Sequence, residues 1–201
     1  MYSGDRETPR RPVLPGGQLF AALPGDDDPA ERAEAAHRTA ALLVRGARTL
    51  DDAHVVRRIV HLADEHGLDL LAQLWSDSPA DSLPGAVWRL YLLRAWVHAD
   101  PTGIAHEFEA GRAHAPVAEV VAGVVDPPGP AEVLELADVV LRGIAVGDFA
   151  TTLHRAAAFC RIVAVGRAHG DQVPATSAAR LMSLAEQLET AARSERAGTL
   201  V

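Results

Sequence analysis

Apolar and polar residues follow a helical period along most of the chain. Apolar side chains recur every three or four positions, and no segment alternates as a half-buried strand does. The clearest stripe lies near 177–196, where Leu181, Leu184, Leu188 and Ala192 share one face. The pattern predicts an all-α fold, a multi-helix bundle or short helical array of about seven to nine helices.

Capping residues indicate where these helices begin. Asp28, Asp100 and Asp148 each precede a helical stretch, and proline follows the first two at the first helical position, where its missing N–H costs nothing. Asp51 or Asp52 is expected to cap a further helix. The predicted helices cover, approximately, 29–48, 51–67, 68–75, 84–99, 101–113, 115–124, 131–145, 148–168 and 177–196.

Two segments rich in proline and glycine divide the chain. Residues 1–28 have no helical periodicity and predict a flexible, disordered tail, whose apolar stretch Leu19–Leu23 would dock on the body or on a partner. The sequence DPPGP at 126–130 is the strongest helix breaker. We expect a single helical domain over 29–198, with 126–130 as the place where it would divide.

The stretch 84–99 carries the most distinctive polar pattern. It is apolar on nearly every face, which predicts a central helix, and Tyr91, Arg94 and His98 form a narrow polar line along it. A partly buried arginine needs an ionic partner because an unpaired buried charge is costly. The nearby carboxylates that could pair with Arg94 are Asp77, Asp81 and Asp100.

This polar line has two interpretations. It is either a network that fixes the order of the helices or the lining of a pocket for an acidic group of a ligand or protein partner. Tryptophans flank it; we expect at least two of Trp75, Trp88 and Trp96 to pack in the core, and an exposed one would mark an interface. The candidate pocket residues are Tyr91, Arg94, His98, Asp100, Trp88 and Trp96.

Histidines one helical turn from carboxylates raise the question of a metal site. His61 and Glu65 could reach one ion, and Glu34 with His37 forms the Glu-x-x-His unit of di-iron bundles. Such a centre needs two of these units and two further carboxylates. Solvated helix faces with local ion pairs explain the residues better, so we predict no metal and no cofactor.

The familiar catalytic signatures are missing from the sequence. Without any lysine there is no phosphate-binding Gly-Lys-Ser/Thr loop, and there is no GxSxG motif. The single cysteine, Cys160, lies in the apolar stretch AAAFCRIV, which predicts a buried, unreactive thiol. We therefore predict that the protein is not an enzyme.

Charge and hydropathy narrow the partners and the compartment. The formal net charge is -8 and the arginines are scattered, which argues against binding to nucleic acid. The N-terminus has no apolar core of a secretory signal, and no apolar run reaches the roughly 18 residues of a membrane span. With one cysteine and no internal disulfide, a soluble cytoplasmic protein is expected.

Several glycines lie in or near predicted helices, where each costs about 1 kcal/mol relative to alanine. Close helix crossings would offset that cost, and so would frayed helix ends. The sequence leaves both explanations open for Gly46, Gly103, Gly111, Gly123 and Gly143.

The stretch LWSDSPADSLPGAVWRLYLLRAWV (74–97) resembles a segment of uncharacterised, all-helical actinobacterial proteins, some of which carry an RNA-polymerase-subunit label. The resemblance covers the middle of the chain. It implies a helical fold and a transcription-associated context. No residue here supports polymerase chemistry, which needs a cluster of metal-binding aspartates.

These observations favour a non-enzymatic helical module that binds another protein or a second copy of itself, with the last helix as the expected dimer contact. The alternative is a small-ligand sensor with a pocket around Tyr91, Arg94 and His98. A metal-dependent bundle enzyme that uses the first two helices, and a protein that binds nucleic acid directly, are less well supported by the sequence.

Overall fold

The computed structural model describes residues 29–46, 69–114, 128–141, 148–170 and 175–201. These ranges form seven helices and contain no strand, which confirms the predicted all-α fold. The helices are α1 (Pro29–Arg45), α2 (Asp69–Trp75), α3 (Leu83–Ala99), α4 (Pro101–His114), α5 (Pro130–Leu141), α6 (Phe149–His169) and α7 (Ala175–Arg196). The predicted tail at 1–28, the predicted helices at 51–67 and 115–124, and the candidate ligands His61 and Glu65 lie outside the described residues.

Two of the predicted capping aspartates begin helices as expected. The backbone N–H of Gly103 donates to Asp100 Oδ1 at 2.8 Å at the start of α4, and that of Ala150 donates to Asp148 Oδ1 at 3.1 Å at the start of α6. Each carboxylate accepts from an N–H that has no partner within its helix. Short-range sequence rules therefore set these two boundaries.

The end of α1 differs from the prediction. The helix was expected to reach about residue 48, but it ends at Arg45 because Gly46 adopts a left-handed conformation with φ of 74°. The N–H of Gly46 donates to the carbonyl of Leu42 at 3.1 Å. A glycine in this conformation after the last helical residue is a common helix terminator.

The most enclosed of the described helices is α6, although the sequence predicted that role for the stretch now seen as α3. Twelve of the 21 residues of α6 are buried. In α3, by contrast, Leu92 is 41 % exposed, and Ala95 and His98 are also exposed. The apolar composition of α3 is thus not matched by burial on every side.

A close crossing of α4 and α6 explains two glycines. A Cβ atom at Gly111 would lie 1.9 Å from the carbonyl oxygen of Ile162, and one at Gly166 would lie 1.8 Å from that of Glu107. Both distances are impossible for real atoms, so the two backbones approach this closely only because both positions are glycine. Gly111 therefore marks a helix crossing rather than a frayed end.

The helices share one apolar core that extends to the end of the chain. Residues from before and after residue 130 contribute to it, and Leu200 is fully buried within it. The carbonyl of Val201 accepts from the N–H of Leu83 at 2.8 Å, and Arg45 Nη2 donates to the carbonyl of Leu200 at 2.5 Å. Packing thus continues past residue 198, the predicted domain limit.

The apolar stripe of α7 lies mainly in this same core. Leu181, Leu188 and Ala192 are buried and Leu184 is partly buried against the core. The stripe is covered by the other helices of the same chain. The stripe is therefore not exposed in the described structure, and self-association through the last helix stays a prediction.

Candidate functional site

The polar line on α3 begins with Tyr91, which contacts the start of α2. The Tyr91 hydroxyl donates to a carboxylate oxygen of Asp69, and its ring stacks on Trp88 with the centroids 5.4 Å apart. The hydrogen bond to Asp69 raises the pKa of Tyr91 to about 12, and burial and the negative charge of Asp69 add to the effect. The phenol is protonated at neutral pH and joins α2 to α3.

The ionic partner of Arg94 is a carboxylate on α5 and not one of the three that the sequence suggested. Its Nε donates to Asp138 Oδ1 on α5, and both side chains are 24 % exposed. The three carboxylates proposed from the sequence are elsewhere: Asp77 pairs with Arg32, Asp100 caps α4 and Asp81 is exposed. Packing of α5 beside α3 brings Asp138 to Arg94, and no local pattern reports that contact.

Trp96 lies beside a group of interactions that sequence reasoning missed. The guanidinium carbon of Arg167 is 5.1 Å from the centroid of the Trp96 ring, within the range of a cation–π contact. The same guanidinium donates to both carboxylate oxygens of Glu107 and, at 2.7 Å, to the hydroxyl of Ser177. These four residues come from α3, α4, α6 and α7.

The six candidate pocket residues thus contact different neighbours. Tyr91 contacts α2 and stacks on Trp88, Arg94 contacts α5 and Trp96 contacts α6. His98 is exposed, and Asp100 accepts a capping hydrogen bond. In the described ranges, the partners of Tyr91, Arg94 and Trp96 are side chains of the fold itself, as the network interpretation requires.

The tryptophans and the cysteine are structural. Trp75 is fully buried and its Nε1 donates to Thr39 Oγ1 at 3.1 Å, and neither Trp88 nor Trp96 is exposed. None of the three is therefore an exposed interface residue. Cys160 is fully buried, and burial raises the pKa of its thiol to about 12, as expected for an unreactive cysteine.

Of the four candidate metal ligands, Glu34 and His37 lie within the described residues. Glu34 and His37 are exposed on α1. Within the described residues, no three side chains of His, Cys, Asp or Glu are grouped so that they could hold a metal ion. His61 and Glu65 are not among those residues.

His154 on α6 is a half-buried histidine that the sequence analysis did not single out. Its Nε2 atom is buried and has no hydrogen-bond partner. Burial lowers the pKa of His154, the charge of Arg196 lowers it further, and Glu189 opposes both. The imidazole is therefore neutral at physiological pH and lies beside the last turns of α7.

A surface cleft of about 380 Å³ separates α1 from α2. Its apolar lining comes from Pro29, Ala33, Ala36, Leu74 and Pro79. Polar groups at its edge include Arg32, His37 and Asp77. The arrangement combines an apolar floor with charged groups of both signs at the rim.

Two further clefts meet at one arginine. A cleft of about 300 Å³ lies between α5 and α6, and one of about 270 Å³ lies between α4 and the start of α5. Arg155 and Glu132 line both. Sequence reasoning missed Arg155 because nothing near it along the chain distinguishes it from the other two arginines of α6, Arg161 and Arg167, which each pair with a carboxylate.

Comparisons with known proteins give no relative. No protein-family model, no curated protein and no solved structure matches the chain. The resemblance of 74–97 to actinobacterial proteins therefore stays a prediction. Of the helices described here, none has both the length and the apolar composition needed to cross a membrane.

Proposed function

We propose that the protein is a non-enzymatic helical module that binds another protein, and that the α1–α2 cleft receives an amphipathic helix of that partner. The observation that carries the proposal is the composition of this cleft, which has an apolar floor and a rim with charges of both signs. Protein interfaces have the same organisation, with an apolar centre inside a polar rim.

The floor suits a helix because two of the α1 residues that form it are alanines, while Arg32 and His37 of α1 lie at the rim. Ala33 and Ala36 lie three positions apart on α1, and Leu74 and Pro79 form the other side. Small side chains allow the backbone of an incoming helix to approach closely, and a cleft of about 380 Å³ has room for one or two large apolar side chains. Apolar anchors at helical spacing are the usual way in which a groove binds a helix.

The rim supports a partner with both acidic and basic side chains. Arg32 Nη2 lies 3.7 Å from Asp77 Oδ2, with the two side chains 46 % and 81 % exposed, and it also donates to the carbonyl of Gln73 at 3.1 Å. An ion pair this exposed contributes less than about 1 kcal/mol. The ion pair between Arg32 and Asp77 can therefore break at little cost. Each side chain can then pair with an opposite charge on the partner.

Site-specific photocrosslinking tests this proposal. A benzophenone amino acid placed at Ala33 should crosslink one protein in the native lysate, and the same probe at Ala179, an exposed position on α7, should not. Peptide mapping should place the crosslink in an amphipathic helix of that protein. The purified partner should then bind the wild-type chain.

A matched pair of charged variants completes the test. Ala33→Arg should weaken binding of the purified partner at least about tenfold, because it places a charge on the apolar floor. Ala179→Arg should leave the affinity unchanged. Equal crosslinking at both positions, a crosslink to a second copy of this chain, or equal affinities of the two variants would contradict the proposal.

A further inference from the structure

Arg155 differs from the other half-buried arginines of the described helices. Arg94, Arg161 and Arg167 each pair with a carboxylate, and the pairs of Arg161 and Arg167 are bidentate. Arg89 donates to Gln187 Oε1 at 2.7 Å and to the carbonyl of Gly85 at 2.8 Å. The Nε atom of Arg155 is buried and has no hydrogen-bond partner. A guanidinium that is partly removed from water without an acceptor is unfavourable unless a ligand supplies one.

The cleft between α5 and α6 is lined by acidic and apolar side chains together with Arg155. Glu132 and Glu135 lie on α5, and no ion pair joins either of them to Arg155 in the described structure. The apolar part of the lining is formed by Leu136, Val139, Val140 and Phe149. Val139 is 38 % exposed, so the apolar lining is open to solvent at this point.

We propose that this cleft binds a free α-amino acid with an apolar side chain. Arg155 receives the carboxylate, for which the guanidinium fork is well suited. Glu132 and Glu135 receive the ammonium group. The apolar side chain of the ligand packs against Leu136 and Val139.

Size and charge select this class of ligand over others. The cleft of about 300 Å³ lies at the lower limit of ordinary ligand pockets, about 300–1,000 Å³, which fits a small molecule. The two glutamates oppose a dianion such as phosphate, because like charges repel it. A molecule with one carboxylate and one ammonium group satisfies both the arginine and the glutamates.

Calorimetric titration of the full chain tests the proposal with L-leucine, L-valine and L-phenylalanine as probes. At least one should bind with a Kd below about 1 mM. Two analogues of the best ligand test the contribution of each charged group to binding. For leucine, 4-methylpentanoate lacks the ammonium group and leucinamide lacks the carboxylate. Both should bind at least about tenfold more weakly than leucine. Absence of binding by all three amino acids, or an affinity for either analogue equal to that for leucine, would overturn the proposal.

Variants locate the site. Arg155→Met should weaken amino-acid binding at least about tenfold, whereas Arg180→Met, at an exposed position on α7, should not change it. The double variant Glu132→Gln and Glu135→Gln should weaken leucine binding but not that of 4-methylpentanoate, with Glu186→Gln as the control. Unchanged binding in Arg155→Met would place the ligand elsewhere and refute the assignment. These tests are independent of the α1–α2 cleft and of any protein partner.

Discussion

Arg167 on α6 and Glu107 on α4 form a bidentate ion pair. Arg167 Nε and Nη2 donate to the two carboxylate oxygens at 3.0 and 2.7 Å, and the side chains are only 12 % and 22 % exposed. The third nitrogen of the guanidinium donates to Ser177 on α7, and its face covers Trp96 on α3. A single side chain therefore connects four helices through interactions that depend on its planar shape.

Replacement of this arginine should destabilise the protein. Arg167→Met removes all three hydrogen bonds and leaves the carboxylate of Glu107 unpaired. We expect the free energy of unfolding to fall by about 2 kcal/mol, between the values for exposed and fully buried pairs. Urea denaturation measures this change. Arg180→Met is the control and should stay within about 0.5 kcal/mol of wild type, and an equal effect of the two variants would show that the connection contributes little.

The close crossing of α4 and α6 makes Gly166 intolerant of a side chain. Gly166→Ala should lower the free energy of unfolding by about 1–3 kcal/mol, because the new methyl group would overlap the carbonyl oxygen of Glu107. At Gly170 the nearest atom to an added Cβ is 3.6 Å away and φ is -84°. Gly170→Ala should therefore be neutral or stabilising by up to about 1 kcal/mol. Equal loss of stability in both variants, measured by thermal unfolding, would contradict the crossing.

Because Arg155 Nε has no hydrogen-bond partner, the effect of replacing Arg155 on the stability of the ligand-free protein can be predicted. Arg155→Met removes a buried nitrogen that has no hydrogen bond, so stability should be unchanged or increase by about 1 kcal/mol. Arg161→Met removes two hydrogen bonds to Glu189, at 3.0 and 2.7 Å, and should cost about 1–2 kcal/mol. Denaturation of both variants by urea compares them. A loss at Arg155 as large as that at Arg161 would mean that Arg155 has a structural partner.

The Tyr91–Asp69 hydrogen bond should be visible in a pH titration. The pKa of Tyr91 is about 12 in the folded chain and about 10 in an unfolded one. The folded value is the higher one, so the bond stabilises the fold fully below about pH 10 and its contribution is lost as the pH rises towards 12. In a Tyr2→Phe background, absorbance at alkaline pH reports Tyr91 alone, because the chain has two tyrosines.

Asp69→Asn in the same background should lower the midpoint of that titration, since the negative charge and the strong acceptor are both removed. Asp77→Asn, which alters an exposed carboxylate just after the other end of α2, should leave the midpoint in place. A midpoint that does not respond to Asp69→Asn would show that the hydrogen bond is not the cause of the raised pKa.

Cys160 should be inaccessible to thiol reagents in the native protein. It is fully buried and its pKa is raised to about 12, so the thiolate is scarce at neutral pH. An aromatic disulfide reagent should modify it only in denaturant, and because it is the only cysteine the signal is unambiguous. Rapid modification of the native chain would mean that the core around α6 opens readily.

Much of the secondary structure could be predicted from short-range patterns. Apolar periodicity located the described helices, and Asp100 and Asp148 indicated the first residues of α4 and α6. These signals are readable because a cap and its helix are only two or three residues apart in sequence. The end of α1 was misplaced because the sequence did not show that Gly46 would adopt a left-handed conformation.

The partners of the polar side chains could not be predicted in the same way. The sequence showed that Arg94 needed a carboxylate, but Asp138 is 44 positions away, and Glu107 is 60 positions from Arg167. Arg155 gave no local sign that its guanidinium would lack an acceptor.

The sequence by itself determined that this chain is helical, where the described helices mostly begin, and that Cys160 is buried, because these properties depend on periodicity and on neighbours within a turn or two. Only the tertiary structure decided which charges are paired, why Gly111 and Gly166 are glycines, and which clefts remain open. Those properties depend on how helices distant in sequence pack against each other, and many different packings are compatible with the same apolar stripes.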